Sequence, residues 1–270
     1  MLVLQSWGTT DLCHCVSRQT KDREWELTLW NKEMEIDPKA RGGEKVFRFD
    51  PAINLVPKEK QLLKLDPWVY TVYLACDPHP KTPDAFLWLA AGKDGTLHVI
   101  CSWWPGPLNE DKLPIKDCIR TVEGWNKVLG VKPRRKLMDP AGKEWNADEK
   151  RKINWFDAYQ ENGMTFLPAK KNFEYRGYAK INDYLVPEKA GESPRLLIWD
   201  GCGDNARLIE RLTYLRWKEI KGAAALVKDA PEEPEDKEKH LPDCLSMIML
   251  DEPHWIATRT RFTIARSCWT

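Results

Sequence analysis

Between Trp68 and Trp104 the chain presents three apolar runs in quick succession, and few folds can bury all three. WVYTVYLAC (68–76), AFLWLAA (85–91) and TLHVICSWW (96–104) contain no Asp, Glu, Lys or Arg and are rich in β-branched and aromatic residues. That content predicts strands buried on both faces. Each run is far too short to cross a bilayer. Lys93-Asp94-Gly95 separates the second run from the third, and an Asp-Gly pair in that position predicts a tight hairpin. Three antiparallel strands in the middle of a sheet are therefore the framework that the remaining segments must cover.

Downstream the period changes. Ile115, Ile119, Val122, Trp125 and Leu129 fall at helical spacing. A basic loop, KPRRK, leads into a short strand ending at Met138. Residues 147–162 read as a helix, MTFLPA (164–169) as a short strand, and 173–185 as a helix interrupted near Gly177. RLLIW (195–199) reads as a strand, 204–217 as a helix with Leu208, Leu212 and Leu215 on one face, and 240–250 as a helix with Pro242 in its first turn. Hairpin strands followed by alternating strands and helices predict an α/β fold, a mixed central sheet flanked by helices. Residues 1–66 differ from the rest. They are dense in charge of both signs, with EWELTLW (24–30) and KVFRF (45–49) as isolated strand candidates. They are expected to form a small appended or linker region before a main domain over 67–270. APEEPEDKE (230–238) reads as a mobile proline–acid linker.

Composition narrows the class. With 42% hydrophobic and 31% charged residues the 270-residue chain is globular with a very polar surface, and its net charge of +1 selects no partner by itself. Most of the 14 tryptophans are expected in or beside the core. The eight cysteines are scattered, apart from Cys13-His14-Cys15, a cluster too tight for a standard zinc site. They read as reduced, buried thiols. MLVLQSW lacks the charged and apolar regions of a signal peptide, and no run approaches a membrane span. A soluble, intracellular protein with no membrane partner is expected.

Three aspartates punctuate apolar segments. Asp77 follows the first strand run, Asp139 follows the strand ending at Met138, and Asp243 opens the last helix. If the strands that Asp77 and Asp139 close are neighbours, and the last helix packs on them, the three carboxylates converge at one rim. Three such oxygen ligands suit a hard cation, Mg²⁺ or Mn²⁺. Two such ions about 4 Å apart can activate water and neutralise a leaving oxygen in phosphodiester hydrolysis. Asp84, His79 and His240 are weaker candidates for contact with the same site, and Asp200 and Glu144 are nearby acids. Lys132, Arg134, Arg135, Lys136 and Lys143 surround the approach to Asp139. Lys170, Lys171, Arg176 and Lys180 form a second basic group. Both groups are candidates for DNA-backbone contact of low base specificity.

The run ACDPHPKTPDAFLWL, with Asp77 and then Asp84, together with KEKHLPDCLSM, with His240 and Asp243, resembles the nuclease domain of the large terminase subunit of tailed bacteriophages, within the ribonuclease H-like superfamily. LIWDGCGDNARLIERLTYLRW is similar to that family's strand and helix, with Glu210, Tyr214 and Trp217 at the matching positions. The resemblance spans roughly residues 68–251. Two departures stand out: Glu238-Lys239 replaces an acid pair before the His, and Met247-Ile248 replaces the usual Arg-Tyr. The resemblance implies a ribonuclease H-like fold, two-metal endonuclease activity on double-stranded DNA, and cutting of concatemeric viral DNA during packaging in the cytoplasm of a bacterial host. It also implies as partners the terminase ATPase, the small terminase subunit and the portal. No GxxxxGK[ST] phosphate loop occurs, so the packaging ATPase half is not expected within these residues. A junction resolvase, an RNA–DNA hybrid cutter, and a non-catalytic DNA-binding or assembly module of the same fold are the alternatives.

Overall fold

In the computed structural model the described residues are 44–61, 65–106, 113–144, 146–148, 152–170, 175–189, 191–218, 233–235 and 238–257. The strand expected at 24–30, Cys13-His14-Cys15, Lys171 and much of the proline–acid stretch lie outside them. The chain divides into two units, 47–215 with 236–270, and 1–46 with 216–235. In the smaller unit, Lys45 bridges Arg216 and Trp217 bridges Pro234, both antiparallel.

The larger unit holds the sheet. In chain order its elements are α1 (Pro51–Asn54), β1 (Leu55–Val56), β2 (Tyr70–Asp77), β3 (Ala85–Gly92), β4 (Leu97–Trp103), α2 (Ile115–Leu129), β5 (Arg135–Met138), β6 (Asn146–Asp148), β7 (Ile153–Asn154), α3 (Trp155–Glu161), β8 (Leu167–Pro168), α4 (Arg176–Leu185), β9 (Leu196–Trp199), α5 (Asn205–Tyr214) and α6 (His240–Leu250). Seven strands pair in the order β1-β9-β4-β3-β2-β5-β8, and β6 and β7 form a separate ribbon. The β2–β3 and β3–β4 pairs are antiparallel, while β2–β5, β5–β8, β4–β9 and β1–β9 are parallel. Only β3 runs against the others, so every other strand ends at one rim. β1 extends this sheet from within the region that the sequence sets apart as residues 1–66.

Burial follows the apolar runs: β3 is buried along its whole length and β2 at all but its two ends. Alternation sends Val72, Leu74 and Cys76 to one face. There they join Phe86, Trp88, Cys118, Ile119, Val122, Trp155 and Tyr159 in a core under α2 and α3. The opposite face, with Tyr73, Ala75 and Asp77, carries α6. That helix is buried at nine of its eleven positions, because it is sandwiched between the sheet and α4.

Two local expectations change. The helix expected over 147–162 shortens to α3, because Asn154 accepts a hydrogen bond from the Asp157 amide and caps a helix that starts only at Trp155. β6 and β7 take up the residues before it. Gly177 does not interrupt its helix. It lies inside α4 where α4 crosses α6, and a Cβ there would stand 2.6 Å from Ser246 Cβ and 3.1 Å from the Ser246 carbonyl oxygen. Glycine is needed for close approach, not for a break. Gly177→Ala is expected to destabilise the fold by about 1–3 kcal/mol, since overpacking outweighs the gain in helix propensity. Thermal denaturation checks this, and an unchanged or higher melting temperature would show that the helices part without cost.

Candidate active site

Asp77 and Asp139 are brought together by strand register. Cys76 and Met138 are paired across the parallel β2–β5 ladder, so the two aspartates are the next residues on adjacent strands at the shared rim. The Asp139 amide donates to the Cys76 carbonyl at 3.3 Å. Its Oδ1 accepts from the Ala141 amide at 2.8 Å, capping a short 3-10 turn over Pro140–Lys143.

Asp243 arrives from the other direction. The Cys244 thiol donates to the Ala85 carbonyl at 3.5 Å, and Ala85 is the β3 partner of Asp77. The first turn of α6 therefore sits directly over the end of β2. His240, at the start of that turn, places Nδ1 2.7 Å from Asp77 Oδ2. The Tyr178 hydroxyl of α4 donates to Asp243 Oδ1 at 2.6 Å. The buried Cys244 thiol is pushed well up by burial first, and then by the charges of Asp77, Asp243 and Asp139. One atom thus senses all three carboxylates.

The electrostatics mark this rim as short of positive charge. Burial, followed by the charge of Asp77, raises the Asp243 carboxyl to about 7, against the opposing effects of Tyr178, Lys239 and His240. For His240, burial lowers the imidazole pKa, but the hydrogen bond and charge of Asp77, with the charge of Asp243, outweigh it and the net shift is upward. A buried carboxyl whose charged form is disfavoured beside a second carboxylate makes with it a donor pair that a divalent cation suits. Among the described residues, no group of three His, Cys, Asp or Glu side chains already stands at metal-ligand spacing. The three aspartates are instead engaged by His240, by Tyr178 and by the Ala141 amide.

The other candidates sort by position. Asp84 is 1% exposed and lies behind the rim, accepting from the Tyr159 hydroxyl at 2.6 Å and from the His79 amide at 3.1 Å. His79 Nδ1 accepts from the Lys81 and Thr82 amides, and its ring packs edge-on against His240 at 5.2 Å between centroids. Asp200 and Glu144 are exposed. Arg134 and Arg135 do not flank Asp139. Arg135 opens β5 and Arg134 precedes it, about 13 and about 17 Å from Asp139 at roughly 3.3 Å per residue. There Arg135 makes a two-pronged ion pair with Asp251 at 2.8 and 2.9 Å. Arg134 donates to the Ile256 and Ala257 carbonyls at 2.9 and 3.1 Å. Both serve to fasten the segment after α6. Lys170 and Lys180 pair with Glu252 at 3.9 and 3.3 Å. Lys143 and Arg176 are exposed, Lys143 on the turn that follows Asp139, and Lys136 is half-buried in β5.

Sequence reasoning missed Tyr178 and the aromatic wall. Trp104 lies 5.0 Å from the His240 ring and closes the rim beyond β4. A Tyr in an ordinary amphipathic helix carries no local signal that it will meet an aspartate 65 residues away.

No protein-family model matches the sequence, and no curated protein matches it. Solved structures do. The large terminase nuclease domain of P22 superposes with a TM-score of 0.55 at 12% identity, over 78% of this chain and 93% of that one. The large terminase of a thermophilic bacteriophage superposes with a TM-score of 0.54 at 14% identity, over 77% of this chain. This chain spans 44% of that terminase's length. No helix among the described residues is long and apolar enough to cross a membrane. At these identities the likeness concerns architecture: the chain has the fold of the bacteriophage large-terminase nuclease domain.

Proposed function

We propose that this chain is a metal-dependent DNA endonuclease acting as the terminase nuclease does, with Asp77, Asp139 and Asp243 as the groups that hold two divalent ions. The observation that supports the reading is that strand register sets Asp139 next to Asp77 and α6 seats the turn bearing Asp243 over the end of β2, at the rim where six parallel strand ends gather, within a terminase-nuclease fold. Bound there, Mg²⁺ or Mn²⁺ would supply an activated water and neutralise charge on the leaving 3′ oxygen. The protein's own residues do the positioning. His240 orients Asp77 through its 2.7 Å bond, and His79 and Trp104 hold the His240 ring between them. Tyr178 fixes one oxygen of Asp243. Asp84 keeps the turn after β2 in place rather than reaching the ions. Lys136, Lys143, Lys170, Lys171 and Arg176 remain the proposed contacts to the DNA backbone. A motor ATPase, the small terminase subunit and the portal are the partners this reading implies, and the cytoplasm of an infected bacterium is its setting.

The deciding experiment incubates the purified chain with supercoiled plasmid and millimolar Mn²⁺, with a chelator in the parallel reaction. Nicking and linearisation are expected with metal only. Absence of cleavage at any Mn²⁺ concentration, with calorimetry showing no metal binding, would favour a non-catalytic module. Comparing linear duplex, four-way junction and RNA–DNA hybrid separates terminase-like cutting from a resolvase or a hybrid cutter, and duplex is the expected preference.

A further inference from the structure

Among the described residues of the larger unit, five arginine side chains are engaged by acids or carbonyls. Arg120 pairs with Asp117, Arg135 with Asp251, Arg195 with Glu188, and Arg211 with Glu210 and Glu238. Arg134 caps two carbonyls. Arg207, on α5, has neither an ion pair nor a hydrogen bond from its guanidinium among these residues. Its guanidinium carbon stands instead 5.6 Å from the centre of the Trp104 ring.

That ring belongs to the site just described. Trp104 packs on His240, and His240 bonds Asp77. The Trp104 amide in turn donates to Asp204 Oδ2 at 2.7 Å, tying the end of β4 to the residue before α5. The placement is also fixed from a second side. Gly106, at φ +78°, passes so near the guanidinium that a Cβ there would stand 2.6 Å from Arg207 Nη1. Trp104 and Gly106 thus hold a half-buried, permanently charged fork at the rim, with its donors uncommitted among the described residues.

We propose that Arg207 binds a backbone phosphate of the DNA strand, close to the bond presented to Asp77. A planar guanidinium held on an aromatic ring with no internal acid is matched by a phosphodiester oxygen pair, which it meets with two parallel hydrogen bonds. The assignment rests on the nuclease reading for its ligand but not on metal. It also differs from the strand-end lysines: it places the strand on the Trp104 side of the site, across β4 and α5.

The test measures binding of a fluorescein-labelled duplex by anisotropy, in chelator, over a range of salt concentrations, for the wild-type chain, Arg207→Gln and Arg207→Lys. Gln is expected to weaken binding several-fold and to reduce the slope of log K against log salt by about 0.9, the release from one phosphate. Lys is expected to retain the slope and lose part of the affinity, because it keeps the charge without the planar fork. Melting temperatures of both variants are expected to stay within a few degrees of wild type, since no ion pair or hydrogen bond among the described residues is lost and only the contact with the Trp104 ring is weakened. Wild-type affinity and slope in Arg207→Gln would overturn the assignment, even if the chain cleaves DNA. Slope loss in Arg207→Gln together with a wild-type chain that never cleaves would uphold Arg207 as a phosphate contact and overturn the nuclease reading instead.

Discussion

Asp77→Ala is expected to abolish Mn²⁺-dependent plasmid cleavage, a loss of about a thousandfold or more, while leaving the fold intact. The size follows from the proposed role: removing a carboxylate proposed to hold the ions would forfeit several kcal/mol of charge stabilisation, at about 1.36 kcal/mol per tenfold in rate. The intact fold follows from position. Asp77 is the last residue of β2, its side chain is at the rim, and the strand's ladder to β3 and β5 is made by backbone groups that alanine keeps. The variant loses the His240 bond and also relieves the repulsion on Asp243, so the two effects on stability oppose each other. Circular dichroism melting beside the cleavage assay separates the outcomes. A folded variant that still cuts at the wild-type rate would remove Asp77 from the mechanism.

Asp243→Asn carries the second large effect, and it has opposite signs in two assays. The Asp243 carboxyl sits at about 7 in the folded chain against 3.8 as its ordinary value. A carboxyl raised on folding costs nothing while both states are protonated. The cost grows as pH climbs from about 4 towards 7 and is complete above it, on the order of 4 kcal/mol. The groups that set this value are Asp77 from β2, Tyr178 from α4, and Lys239 and His240 at the start of α6. His240 has a raised value and contributes stability that is lost as pH rises past it; the larger part comes from Asp77, which both proteins keep, and the smaller part from Asp243 is lost in the variant. In chelator at about pH 8 the Asn variant is therefore expected to melt above wild type, by about 5 °C or more. Below about pH 4 the two should converge. With Mn²⁺ the order reverses, because only wild type gains the stabilisation of a bound ion, and the variant should not cleave. A variant that melts below wild type in alkaline chelator, or that Mn²⁺ still stabilises fully, would show that Asp243 is an ordinary structural acid.

These two aspartates also show how much the sequence could reveal. Asp77 and Asp243 stand at the ends of segments whose type is dictated locally. An uncharged β-branched run must be a buried strand, and HLPDCLSMIML, with Pro242 in its first turn, can hardly be anything but a buried helix. Their elements are Tyr70–Asp77 and His240–Leu250 in the structure, and the expected helix over 115–129 matches α2. The mixed sheet followed from the order of those elements. Arg134 and Arg135 show the opposite case. Their nearness to Asp139 in the chain suggested nearness in space, but a strand is straight, and a few residues along it carry a side chain to the far edge of the sheet. Residues 147–162 misled for another reason. Their apolar spacing suits a helix, but the Asn154 cap, visible only once the backbone turns there, decides where the helix begins.

What the sequence alone determined was the central strands, the main helices and the acids at their ends, because hydrophobic period and turn chemistry act over a few residues. Which ends meet was decided only by the tertiary structure. Register between β2 and β5 set Asp139 beside Asp77, and the packing of α6 over Ala85 brought in Asp243. The close crossing of α4 at Gly177 delivered Tyr178, and the Trp104–Gly106 clamp fixed Arg207. Each of these depends on contacts between residues tens to more than a hundred positions apart, and no local pattern encodes the distance at which two buried surfaces come to rest.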